Sequence, residues 1–190
     1  MKWLSFMFIV AGLCFIGFAG WKIINTKVET NQAKEEAKKI VTEASSTTIE
    51  HSKDNPYRPE NGEEAGLLLI PKLEAELPII EGTDPDALDK GVGHYEGSYY
   101  PNEEGQIVLS GHRDTVFRRM GELEIGDLLV IQLPYGEFTY EMIDTKIVAA
   151  DDTSIITLQN EKEELILTTC YPFSFIGNAP DRYIIYGKRV

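Results

Sequence analysis

The chain has 190 residues, with 18 Lys and Arg against 31 Asp and Glu, a formal net charge of −13 at pH 7. That balance argues against a phosphate-backbone-binding role, which needs Lys and Arg to release condensed counterions. The composition, 43% hydrophobic and 26% charged, is that of a globular protein. The acid is concentrated in one part: residues 1–65 carry 8 basic and 9 acidic side chains, whereas residues 66–190 carry 10 and 22. The second stretch is long enough to enclose one core of ordinary size.

Residues 3–21, WLSFMFIVAGLCFIGFAGW, hold no charge across 19 positions and are bracketed by Lys2 and Lys22. As a helix they extend roughly 28 Å, about the thickness of a bilayer's hydrocarbon core, and Trp3 and Trp21 stand where an interfacial belt is found. The spacing of Gly17 and Ala19 also suits a cleaved signal peptide, but the apolar core of such peptides is usually shorter than this one. Lys22, Lys27 and Lys34 outnumber the positive charges on the N-terminal side, so a plain lysine count places the C-terminal part in the cytoplasm.

Residues 25–44 read as a polar helix with Ala33, Ala37, Ile40, Val41 and Ala44 on one stripe and Glu35 four positions before Lys39. Residues 45–65 contain Pro56, Pro59 and Gly62 without apolar periodicity, which predicts a mobile spacer, and His51 within it is expected to be solvated. The organisation expected is an anchor at 1–24, a stalk and spacer at 25–65, and a folded domain at 66–190.

From Gly66 the pattern becomes short apolar runs separated by turn residues, at 67–70, 77–80, 106–110, 128–133, 138–149, 164–170 and 183–186. Seven or eight such segments rich in Ile, Val, Leu and Tyr predict an all-β barrel or sandwich. Residues 134–136 read as a hairpin loop, and helical signals are limited to a turn or two at 84–90, 115–120 and 152–155.

Two cysteines occur. Cys14 lies in the apolar segment and Cys170 in the folded domain, so a disulfide framework is excluded and Cys170 is a lone thiol. It ends the strand at 164–170, immediately before Tyr171 and Pro172. As a buried small hydrophobe it would need no partner; as a nucleophile it needs a proton carrier and a stabiliser of developing charge. His112, in Ser110-Gly111-His112, lies just past another apolar strand and is suited to move a proton near neutral pH. Arg182 opens the last strand. If the two C-terminal strands pair antiparallel, the end of one lies beside the start of the other, and Arg182 neighbours Cys170 with permanently charged donors.

These residues resemble the sortase family, Gram-positive cysteine transpeptidases built on an eight-stranded β-barrel. The resemblance covers roughly residues 66–190 and rests on Ser110-Gly111-His112, on Leu167-Thr168-Thr169-Cys170 and on the downstream Arg182. The family's cysteine strand usually reads Thr-Leu-x-Thr-Cys; here Ile166 stands at the first position, a strand site rather than a catalytic one. The resemblance implies that Cys170 attacks the carbonyl after Thr in an LPxT-type sorting signal of a surface protein. A thioester then passes to an amine of a cell-wall precursor. It implies His112 as general acid and base and Arg182 as stabiliser of the oxyanion or positioner of substrate. It also implies a single-pass membrane protein with its N-terminus in the cytoplasm and the catalytic domain outside, which overrides the lysine count.

A single N-terminal anchor and a chain that ends directly after its last strand look most like class D sortases, some of which prefer LPxTA over LPxTG signals. His94, in a Gly-rich loop, and Thr169 and Tyr171 beside Cys170 are further candidate substrate contacts, with a structural hydrogen bond the alternative for His94. Asp114 is either an orienting group for His112 or a surface ion-pair partner of Arg113 or Arg118. No cofactor is expected. Glu103, Glu104, Glu161, Glu163 and Glu164 offer oxygens for calcium, but in no dedicated loop spacing, and read as solvated charge; histidines at 51, 94 and 112 have no zinc-site spacing. His112-Arg113-Asp114 also resembles a kinase loop, but Arg119 stands where an Asn is required. The non-enzymatic alternative is a membrane-tethered β-domain that binds a cell-surface partner.

Overall fold

A computed structural model of the chain describes residues 2–44, 51, 55–173 and 177–190. Helix α1 (Lys2–Ala44) is a single 43-residue helix, where the sequence suggested a span followed by a separate polar helix. No proline occurs before Pro56, so nothing interrupts the hydrogen-bond ladder between the two halves. The first half is long and apolar enough to cross a membrane, with Trp3, Phe6, Phe8, Phe15 and Trp21 all exposed.

The second half does not stand away from the domain as a stalk. Ala33 and Ala37 are buried, and Ala33 clusters with Ile80 and Ala87. Lys34 and Lys38 reach the same Glu76 oxygen at 2.7 and 2.9 Å. Their hydrogen bonds hold the Glu76 carboxyl below the ordinary carboxylate range.

Residues 45–50 and 52–54 of the expected spacer lie outside the described residues. The remainder is packed rather than mobile. Tyr57 rests against the barrel core, its N–H donates to Glu103 at 3.1 Å and its hydroxyl to the Ala65 carbonyl at 3.1 Å. Glu103 is 1% exposed and also takes a bond from Arg58 at 2.7 Å, because a buried carboxylate must be supplied with donors. Nor is His51 solvated: its ring lies 5.4 Å from that of Tyr57 and 4.6 Å from that of Tyr135.

Eight strands close into a barrel: β1 (Glu64–Ile70), β2 (Ala75–Glu81), β3 (Val92–His94), β4 (Gln106–Gly111), β5 (Leu128–Leu133), β6 (Gly136–Ala149), β7 (Glu164–Tyr171) and β8 (Asp181–Arg189), in the order β1-β2-β3-β4-β7-β8-β6-β5. All seven runs read from the sequence are strands. The eighth, β3, is only three residues long and follows Gly91. Gly93 within it is required because a Cβ there would lie 2.5 Å from the Gly82 carbonyl oxygen. Helix α2 (Pro85–Lys90) carries the chain between the parallel strands β2 and β3. Asp84 caps it by accepting from the N–H groups of Asp86 and Ala87, and Pro85 supplies a first residue that needs no donor. The other two helical readings are weaker in fact: 115–120 is turn leading into a 3-10 turn at Met120–Glu122, and 152–155 is not helical.

Alternation along the strands divides the core in two. Ile107, Leu109, Leu165, Leu167 and Ile185 point into the barrel, and Val108, Ile166 and Ile184 point out. The outward set is covered by Tyr95, Val148, Ile155, Ile156 and Tyr186. With both faces buried, β4 and β7 read as continuous rather than alternating apolar runs.

Candidate active site

The strand directions bring the candidate residues to one end of the barrel. β4 and β7 are parallel, with Gly111 opposite Thr169, so their C-terminal ends lie side by side. β8 is antiparallel to β7, so its first residues lie at that same end, with Cys170 directly opposite Arg182. His112 is the residue that follows β4.

Period-two alternation then selects the face. Counting from the outward residues Ile166 and Ile184, positions 170 and 182 fall on the outer face of the wall, and His112, just past β4, lies against Asp89 of helix α2 on that same outer side. Cys170 is a half-buried free thiol, and His112 is 41% exposed. Arg182 Nη1 donates to the carbonyls of Asp181 at 3.0 Å and Ala179 at 3.5 Å, which keeps its guanidinium at the mouth of the β7–β8 connection.

Local contacts fix the ends of these strands. Thr169 Oγ1 donates to the Gly111 carbonyl at 2.7 Å and ties β7 to β4 one residue before both Cys170 and His112. The Phe117 N–H donates to the His112 carbonyl at 3.0 Å, and the ring of Phe117 is fully buried. Arg113 reaches across to the Cys170 side, where Nη2 donates to the Gly177 carbonyl at 2.6 Å and Nη1 to that of Pro172 at 3.4 Å. Asp89, on the last turn of α2, places Oδ1 3.9 Å from His112 Nε2. Neither Arg113 nor Asp89 stands out in the sequence as a partner here. For Arg113 the adjacency to His112 was a usable signal; for Asp89, 23 positions upstream, there was none.

The other candidates stand elsewhere. His94 is 1% exposed, between Glu81 at 2.8 Å on Nδ1 and Ser98 Oγ at 2.9 Å on Nε2, with its ring stacked on Tyr100 at 3.9 Å. It is a structural residue of the barrel wall, out of reach of a peptide. Burial alone would push the Glu81 carboxyl up, but the bonds from His94 and from the Tyr100 hydroxyl outweigh it and hold Glu81 below the ordinary range. Burial, followed by the nearby Glu81 charge, pushes the Tyr100 phenol well above its usual value. Thr169 is 4% exposed and committed to Gly111. Tyr171 alternates to the opposite face from Cys170 and packs edge-on against Phe173 and beside Tyr183. Neither shares the Cys170 face.

Two further readings are corrected. Asp114 receives Arg118 through its backbone carbonyl, from both Nε and Nη2, and not as a side-chain ion pair. Of the acidic residues weighed for calcium, Glu103 is buried and Glu163 bonds to Tyr140 and Arg189, so these two are internal partners rather than solvated charge. Among the described residues no group of three or more metal-ligating side chains converges.

A thiol, an imidazole and a guanidinium on one face are the parts needed for nucleophilic acyl transfer: an attacking group, a proton carrier and a cation for the developing oxyanion. Comparison with known proteins agrees with that chemistry. Residues 68–190 match the sortase domain family. The whole chain is 62% identical over 195 residues to Sortase D of Bacillus subtilis, covering 98% of that protein. It is 29% identical to Sortase SrtE1 of Streptomyces coelicolor, of which it spans 55%. Among solved structures, a Clostridium perfringens Sortase D5 transpeptidase superposes with a TM-score of 0.70 at 26% identity, over 86% of this chain and 99% of that one. Sortase E1 of Streptomyces coelicolor, solved with a tripeptide in its active site, superposes at 0.61 and 31% identity, over 68% of this chain and 89% of that one. The chain belongs to the sortase family, the cysteine transpeptidases of the bacterial cell surface.

Proposed function

We propose that this sortase, of class D type, cleaves an LPxT-type sorting signal after its threonine and transfers the surface protein to an amine of a cell-wall precursor. Cys170 attacks the threonine carbonyl, and the C–N bond breaks to leave a thioester. His112 delivers a proton to the departing amine and later removes one from the incoming amine. Arg182 supplies positive charge to the tetrahedral oxygen or positions the peptide. The reaction uses side chains alone. The observation that carries the reading is the strand register that sets Cys170 opposite Arg182, with His112 one residue past the adjoining β4.

The N-terminal half of α1 anchors the enzyme, with its N-terminus in the cytoplasm and the barrel outside, where both the sorting signals and the acceptor amines are found. Identity of 62% to a Sortase D supports the class, and an LPxTA signal is the preference proposed here for it. The test is cleavage of LPNTA and LPETG peptides by the full chain, with and without an added amine that mimics a stem peptide. Faster turnover of LPNTA and an amine-dependent second product are expected. Preference for LPETG would overturn the signal assignment, and hydrolysis unchanged by the amine would overturn the transfer step.

A further inference from the structure

We propose that Asp89 is a positioning residue for His112, presented by α2 and held in place by the docked half of the anchor helix α1. The proposal rests on the reading of His112 as the proton carrier. A carboxylate in the last turn of a helix opposes the helix dipole, which there favours cations. Lys90, beside it, meets that preference and donates to the Gly62 carbonyl at 3.2 Å. Asp89 does not meet it, and instead its carboxylate faces the imidazole of His112 across 3.9 Å, with both side chains about half exposed.

Three nearby arginines have partners of their own. Arg113 reaches over to the carbonyls of Pro172 and Gly177. Arg118 is turned to the Asp114 carbonyl, and Arg182 lies at Cys170, on the far side of β7 from β4. Among the described residues, Asp89 is the carboxylate found against the ring. A separation of 3.9 Å is slightly beyond a hydrogen bond, and contacts of this kind commonly shorten when substrate closes the site.

What keeps Asp89 there is α1. Thr30 Oγ1 lies 3.4 Å from the Asp89 carbonyl, Ala33 packs against Ala87 of α2 and Ile80 of β2, and Lys34 and Lys38 clamp Glu76. A helix of six residues has little stability of its own, so its position is set by this packing. The membrane anchor thereby forms part of the support of the candidate active site.

The experiment uses the full chain in detergent micelles. It measures kcat and KM on the sorting-signal peptide and, separately, the ring resonances of His112 at one fixed pH. Asp89→Asn keeps the shape and removes the charge; Asp89→Glu restores it. For Asp89→Asn we expect kcat to fall about tenfold with KM within about twofold. The His112 resonances should shift, and Asp89→Glu should recover most of the rate. Unchanged kcat, or unmoved resonances, in the Asn variant overturns the proposal. If the wild-type chain cleaves no peptide, the proposed function fails, and the resonances alone decide the Asp89–His112 pairing.

Discussion

A Cβ added at Gly111 would lie 2.6 Å from Cδ2 of Phe117 and 2.9 Å from Cγ2 of Val116, so only glycine lets β4 pass beneath that buried ring. The Phe117 N–H in turn holds the His112 carbonyl. Gly111→Ala must displace the ring and His112 with it. We expect a stability loss of about 1–3 kcal/mol by urea unfolding and a fall in kcat on peptide larger than the change in KM. Glu81 poses a different problem. It accepts from Tyr100 at 2.6 Å and pairs with His94 at 2.8 Å within the barrel wall, and removing one member of a buried pair strands the other. Glu81→Leu should cost about 3–5 kcal/mol in urea unfolding, and equal stability of variant and wild type would refute the coupling. At this scale the meeting of Cys170, His112 and Arg182 at one end of the barrel was legible because each closes or opens an apolar run. The Glu81–His94 pair and Asp89 were not, because their partners lie 13 and 23 positions away and meet only once the barrel closes.

The parallel pairing of β4 with β7 puts two C-terminal strand ends together, and the antiparallel β8 returns a strand start to the same place. Most of this was readable, since each strand is a continuous apolar run bounded by turn residues. β3 was not: its run of three residues contains a glycine demanded by a backbone approach that no local pattern announces. The docking of α1 was half readable. The alanine stripe at 33 and 37 marks a face for close packing, but a spacer containing two prolines hid the fact that the helix folds back on its own domain. Ala37 is fully buried. Ala37→Arg should push α1 away, speed amide exchange in α2 (Pro85–Lys90), and lower kcat severalfold while leaving the barrel folded by circular dichroism. Unchanged exchange in α2 would show that α1 does not support it.

For the molecule as a whole, the charge of −13 is not all solvated: Glu81 and Glu103 are taken inside and paired. Glu76 and Glu81 both have folded-state values lowered from 4.5. Their contribution is therefore fully present above about pH 4.5 and is lost as the pH falls through the lowered values. The tyrosines act in the opposite sense. Burial first, then the charges of Glu63 and Glu81, pushes Tyr57 up to about 12, and burial with Glu81 raises Tyr100 as well, from an ordinary 10.0. The stability gained from keeping them neutral is present below pH 10 and lost as the pH rises through the raised values. Tm should thus be nearly flat from about pH 5 to 9 and fall on both sides, and the acid limb should shrink in Glu81→Leu. The acyl chemistry assigned to the outer face at the end of β7 is tested most directly by the intact mass of the full chain after mixing with an LPNTA peptide. The account predicts an added acyl mass that maps to Cys170 and is absent from Cys170→Ala, which releases no product. Cleavage by Cys170→Ala at the wild-type rate, with no adduct on the wild type, would contradict it.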